Sequence, residues 1–206
     1  MQKQTVHLFA LDTMADWEPS YAIARIHDPA WQEHPGRYQV ETVGLTSDQV
    51  TTMGGIKIVP DRTLAALQPE ESAMLILPGA GVWGQAVTAP AVEKAEAFLE
   101  AGVPVAAICG ATYGLADGGL LNGRPHTSNA LEFLQMSPRY RGDAFYRHEP
   151  ALTDGNLVTA GATAALEFAY QILKKLEVFR PDLLEAWYAL FKTGDPRHFA
   201  VLAAAG

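Results

Sequence analysis

Two nearly unbroken apolar runs, Ser72–Leu77 and Val103–Ile108, set the frame of this chain. They lack the in-and-out alternation of a sheet with one wet face, so they read as parallel strands buried on both sides. Pro104 near the start of the second run is tolerable, because a missing N–H matters least there. Thr5–Leu11 reads as a first strand, and Tyr38–Val43 alternates as a half-buried one. Glycine-centred turns at Met53-Gly54-Gly55 and Asp154-Gly155-Asn156 predict hairpins over 50–59 and 151–160.

Helical periods fall between these strands. One starts at Pro19 and carries Tyr21, Ala22, Ile23 and Ile26; a short one lies near 64–67; another spans 90–100 and closes at Gly102. Others are predicted over 111–117, ended by Gly118-Gly119, and over 131–135, with Ser128 or Asn129 as N-cap. Strong apolar faces mark 162–176 and 182–192. Residues 138–150, rich in arginine and aromatics, read as solvated surface with some capacity for anions. Strands alternating with helices predict an α/β fold, a doubly wound and mostly parallel sheet with helices on both faces. The two hairpins are expected to decorate that sheet.

Composition narrows the class. The chain has 206 residues, of which 49% are apolar and 18% charged, as in an ordinary globular protein with a large core. A net charge of −8 argues against nucleic acid or an anionic membrane as partner. A single cysteine requires no oxidising compartment, and neither a signal peptide nor a spanning segment is legible, so a cytoplasmic location is expected. No metal-ligand spacing is present, and no metal or cofactor is expected.

The candidate chemistry centres on Cys109. It follows the 103–108 strand directly and precedes a helix, and Ala107, Gly110 and Ala111 keep its surroundings small, as a tight strand-to-helix turn requires. A cysteine at a helix start is exposed to free N–H groups and the helix dipole, which favour thiolate. The plainer alternative is a small buried hydrophobe. Glu18 stands where the first strand gives way to a helix, a place for a cap or for a ligand site. Pro78-Gly79-Ala80-Gly81 ends the 72–77 strand without a phosphate-loop signature; it is an ordinary glycine turn or an oxyanion-binding one. The candidate oxyanion donors are the N–H groups of Gly79, Ala80 and Gly110. His126 and Asn129, in a polar stretch that also holds Thr127 and Ser128, are further candidates.

Leu75-Ile76-Leu77-Pro78-Gly79-Ala80-Gly81, Ala106-Ala107-Ile108-Cys109-Gly110-Ala111, Gly118 to Arg124 with Thr127, and Asp154 to Ala160 together resemble the ThiJ/PfpI superfamily, which includes the parkinsonism-associated deglycase-like proteins. The resemblance runs to about residue 177. It implies a flavodoxin-like domain over 1–178, with 179–206 as a helical extension packed on the domain or on a partner, and usually a homodimer. It also implies a reactive Cys109 faced by Glu18, the acid giving a hydrogen bond to the thiolate, and an oxyanion turn at Gly79-Ala80. Departures are visible. Gly110 stands where peptidase-like members have histidine and hydratase-like members threonine, and Asn129 falls about where glyoxalase- or deglycase-like members have histidine. The Gly-x-Cys-x-Gly and late His-x-Glu of class I glutamine amidotransferases are absent. The leading expectation is a cysteine-dependent hydrolase or lyase acting on a small carbonyl or amide-like substrate. A non-catalytic oxidant sensor built on Cys109 is the rival, and an amidase or protease ranks third.

Overall fold

The computed structural model describes residues 3–205. β1 (Gln4–Phe9) leads through α1 (Trp17–His27) to β2 (Tyr38–Gly44), followed by β3 (Val50–Thr51), β4 (Lys57–Ile58) and β5 (Arg62–Thr63). β6 (Met74–Leu77), α2 (Ala89–Glu100), β7 (Val105–Ile108) and α3 (Gly110–Asp117) form the next crossovers. The chain then runs through α4 (Leu131–Gln135), β8 (Ala151–Asp154), β9 (Leu157–Ala160), α5 (Ala165–Lys175), α6 (Pro181–Thr193) and α7 (Pro196–Ala203).

Seven strands make one sheet in the order β5-β2-β1-β6-β7-β9-β8. All pairs are parallel except β8 with β9. The central order is that of a flavodoxin-like sheet, whose connections reverse direction beside β1. Side chains alternate across it. Val6, Leu8, Met74, Ile76, Ala106 and Ile108 meet Ile26 of α1, Phe168 of α5 and Trp187 of α6 on one face. Phe9, Leu75, Leu77, Val105 and Ala107 meet Phe98 of α2 and Leu115 of α3 on the other.

Two sequence expectations need correction. The 151–160 hairpin is no decoration, since Leu157–Ala160 pairs in parallel with Val105–Ile108 and extends the main sheet by two strands. Its all-buried strand β9 is the reason. Residues 138–150 are not simply surface: Tyr140 and Tyr146 are buried, packed edge-on to the buried His126 ring at 5.6 and 5.8 Å. Within 179–206, the stretch expected to be a helical extension, α7 follows α6; Pro196 begins it, and the Asp195 side chain accepts from the Arg197 N–H at 2.9 Å.

One buried polar group stands out in the sheet. His7 on β1 is fully buried, with Nδ1 2.8 Å from the Ser72 hydroxyl and Nε2 3.8 Å from a Glu41 carboxylate oxygen. Burial, aided by the positive charge of Arg62 and opposed by the carboxylate of Glu71, holds the imidazole neutral, its pKa lowered to about 4.

Helix α6 shares the core of the sheet through Trp187, which is fully buried and packs against Tyr21, Phe179 and Phe191. Its indole N–H has no hydrogen-bond partner among the described residues. Trp187→Ala is therefore expected to cost about 3–5 kcal/mol in chemical denaturation. Trp187→Phe should cost less than about half as much, because it also removes the unpaired donor.

Candidate active site

Three chain segments meet at the carboxyl ends of β1, β6 and β7, where open α/β sheets place their ligand sites. Cys109 occupies the turn from β7 into α3 at φ 57°, ψ −123°, a conformation that strains any residue with a side chain. Local bonds hold it there. The Cys109 N–H donates to the Ala160 carbonyl at 3.0 Å, and its own carbonyl accepts from the Thr112 N–H at 3.1 Å and the Thr112 hydroxyl at 2.6 Å. Ala107 and Ala111 are fully buried on either side. This strained strand-to-helix turn presents the sulfur at the top of the sheet, in the manner of a nucleophile elbow.

Glu18 lies in the first turn of α1 and is fully buried. It does not cap that helix. Its Oε2 accepts from the Gly79 N–H, on the loop after β6, at 2.5 Å. Its Oε1 is buried without a hydrogen-bond partner among the described residues. The carboxyl and the sulfur converge on Gly79. A β-carbon at that position would stand 2.7 Å from Glu18 Oε2, 2.7 Å from Cys109 Cβ and 3.0 Å from Sγ. Only glycine allows all three to come together.

The glycine turn divides its N–H groups. That of Gly79 is taken by Glu18, and that of Gly81 by the Thr13 hydroxyl at 2.9 Å. The Ala80 N–H has no partner among the described residues. Gly110 lies under Trp83 and Ala80: a β-carbon there would meet Trp83 Cδ1 at 2.9 Å and the Ala80 carbonyl at 3.0 Å. A histidine after the cysteine would thus have no room. Trp83 itself is fixed by donating to the Pro78 carbonyl at 2.8 Å.

His126 and Asn129 part company. The His126 ring bonds the Tyr140 hydroxyl and the Arg124 carbonyl, both at 2.8 Å, and makes no hydrogen bond to Cys109. Asn129 turns to the elbow. Its Nδ2 donates to Cys109 Sγ at 3.5 Å, and its Oδ1 accepts from the Ala162 N–H at 2.8 Å. Neither Ser128 nor Asn129 caps α4; Ala130 holds the capping position without a side-chain bond. Beside Asn129 opens a cavity of about 410 Å³, walled also by Tyr146, His148 and Ala162. Sequence reading missed Thr13 and Trp83, whose roles arise only from contacts distant in the chain.

Burial sets the protonation of the pair. It raises Glu18 to about 7, against the pull of the Gly79 N–H and the neighbouring thiol. It also pushes the Cys109 thiol up, opposed by the Asn129 amide and the Gly110 N–H and reinforced by the Glu18 charge. The expected lowering of the thiol by the helix start is therefore reversed: desolvation wins. At neutral pH the sulfur holds its proton, and the carboxyl beside it is near half-ionised. Among the described residues no cluster of His, Cys, Asp or Glu could hold a metal ion, and no helix is long and apolar enough to cross a membrane.

The family model of the DJ-1/PfpI family matches residues 4–175. A Bacillus subtilis protein named an uncharacterized protease, YoaZ, is 44% identical over 201 residues, covering 97% of this chain and 96% of its own. A thiJ/pfpI family protein from Bacillus anthracis has a solved structure that superposes with a TM-score of 0.94 at 43% identity, covering 100% of this chain and 98% of its own. A DJ-1 superfamily protein from Agrobacterium tumefaciens gives a TM-score of 0.82 at 34% identity, covering 93% and 98%.

Two titrations of opposite sign meet in this molecule. Glu18, raised from 4.5 to about 7, adds stability that is complete below 4.5 and is lost as pH rises through 7. His7, lowered from 6.5 to about 4, adds stability that is complete above 6.5 and is lost as pH falls through 4. Between about 4.5 and 6.5 the two slopes offset each other. Denaturation across that range should show Glu18→Gln losing stability on acidification and His7→Gln gaining it. Parallel slopes in the two variants would contradict the assignment. Gly79→Ala should cost about 1–3 kcal/mol in the same assay, because its methyl group must push the carboxyl and the sulfur apart.

Proposed function

This chain belongs to the DJ-1/PfpI family, and on that premise we propose that it is a cysteine-dependent enzyme acting on a small carbonyl or amide-like substrate, with Cys109 as nucleophile and Glu18 as its proton partner. The observation that carries the reading is the convergence of sulfur and buried carboxyl on Gly79. In the first step the Glu18 carboxylate takes the thiol proton while Sγ attacks the substrate carbon. A C–S bond forms, the C=O π pair moves to oxygen, and Glu18 returns the proton to that oxygen. With an aldehyde the product is a hemithioacetal. A carboxyl poised near 7 suits both transfers, since neither its acid nor its base form is scarce at neutral pH. The free Ala80 N–H and that of Gly110 are the donors offered to the developing charge.

Asn129 supports the same reading through its amide contact with the sulfur. Its amide can orient and stabilise a thiolate, but it cannot carry a proton as histidine does. Proton transfer therefore falls to Glu18 alone. The family relationship further supports a homodimer, and the exposed aromatic groove of Trp17, Tyr21 and Phe191 on α1 and α6 suits such a contact; light scattering at twice the chain mass would bear this out. A cytoplasmic location belongs to the same proposal.

Methylglyoxal, glyoxal and small amides form the test panel. The expected result is turnover that disappears in Cys109→Ser and falls about 100-fold or more in Glu18→Gln, the range for loss of a general acid–base group. Absence of turnover across the panel would overturn the enzyme reading. The sensor reading draws support from the lack of any histidine bonded to the sulfur among the described residues. It predicts instead a two-oxygen mass increase confined to Cys109 after mild peroxide, and a cysteine that stays reduced would remove it.

A further inference from the structure

Behind the elbow two buried hydroxyls are joined in a line. Thr112 is fully buried and Ser128 nearly so, and their side-chain oxygens stand 2.6 Å apart. The direction of the protons is fixed by what lies next to them. The Thr112 hydroxyl is also 2.6 Å from the Cys109 carbonyl, which can only accept. Thr112 therefore spends its one hydrogen on that carbonyl, and Ser128 must donate to Thr112. The result is a directed relay from Ser128 through Thr112 to the backbone of the strained cysteine.

The residue after Ser128 is Asn129, whose amide reaches Cys109 Sγ from the same short segment. Close packing ties that segment down: a β-carbon on Gly161, just past β9, would stand 3.0 Å from the Ser128 carbonyl oxygen. Between residues 126–129 and the elbow there are two side-chain hydrogen bonds among the described residues, one to the Cys109 backbone through Thr112 and one to the sulfur through Asn129. We infer that Ser128 is a positioning residue for Cys109: its hydroxyl, acting through Thr112, fixes the elbow against the 126–129 segment and so sets the contact between the Asn129 amide and the sulfur. Sequence alone gives no hint of this, since Thr112 and Ser128 are sixteen residues apart and both are common cap and turn residues.

The inference takes Cys109 as the reacting group proposed above, but its test reads ionisation of the thiol and not turnover, so the two can fail separately. As the one cysteine of the chain, Cys109 can be followed by the pH dependence of iodoacetamide alkylation in the folded protein. Ser128→Ala should move the apparent thiol pKa upward by about one unit, the size of losing a hydrogen bond to a charged atom. Asn129→Ala should do the same, and the double variant should move it no further than either alone. Ser128→Thr, which restores a hydroxyl, should recover most of the shift. Should Ser128→Ala not fold, Thr112→Val breaks the same relay at near-constant volume and must shift the profile in the same direction. An unshifted profile in these variants, or shifts of Ser128→Ala and Asn129→Ala that add in the double variant, would overturn the inference.

Discussion

A residue with a side chain held at φ 57° is a local liability, and much of this molecule is arranged around keeping Cys109 in that state. The strand before it is locked into a parallel sheet on both sides, by β6 and by β9. Its N–H is spent on Ala160 and its carbonyl on Thr112. Flanking positions are small, so the helix can begin immediately. A lone loop could not sustain this geometry, whereas the centre of a seven-stranded sheet does, because the fold overdetermines it.

The second constraint is proximity in a dry place. Glu18 and Cys109 come from strand ends separated by β6, and they can meet only because Gly79 between them carries no side chain. Burial then raises both groups, so that the sulfur keeps its proton at neutral pH while the carboxyl beside it titrates close to neutrality. The same close packing closes off alternatives. Trp83 and the Ala80 carbonyl fill the space where a histidine after the cysteine would stand, and His126 is committed to Tyr140. Of the titratable groups considered, the Glu18 carboxyl is the one that those contacts leave against Gly79 and the sulfur.

The sequence was most informative where the signal is local. Unbroken apolar runs marked β6 and β7, the small residues around Cys109 marked the elbow, and strand-end position brought out Glu18 and Gly79. It was misleading where a local preference competed with a distant partner. Asn129 fits an N-cap by type, but its amide is claimed by Cys109 and by Ala162, residues brought in by other strands. Tyr140 and Tyr146 sit among arginines and so read as surface, yet both rings are drawn onto His126. The thiol shift runs opposite to the helix-start expectation for the same reason: a helix start is visible in the chain, whereas the burial that outweighs it is a property of the assembled fold.

The proposed chemistry rests on a carboxyl at Glu18 that ionises near neutrality because it is buried beside the sulfur. A site-resolved carbon NMR titration of the Glu18 carboxyl in the folded wild-type protein reads that property directly. A midpoint close to 7 is the predicted result. A midpoint near the ordinary glutamate value of about 4.3 would contradict it, and with it the role of Glu18 as the proton partner of Cys109.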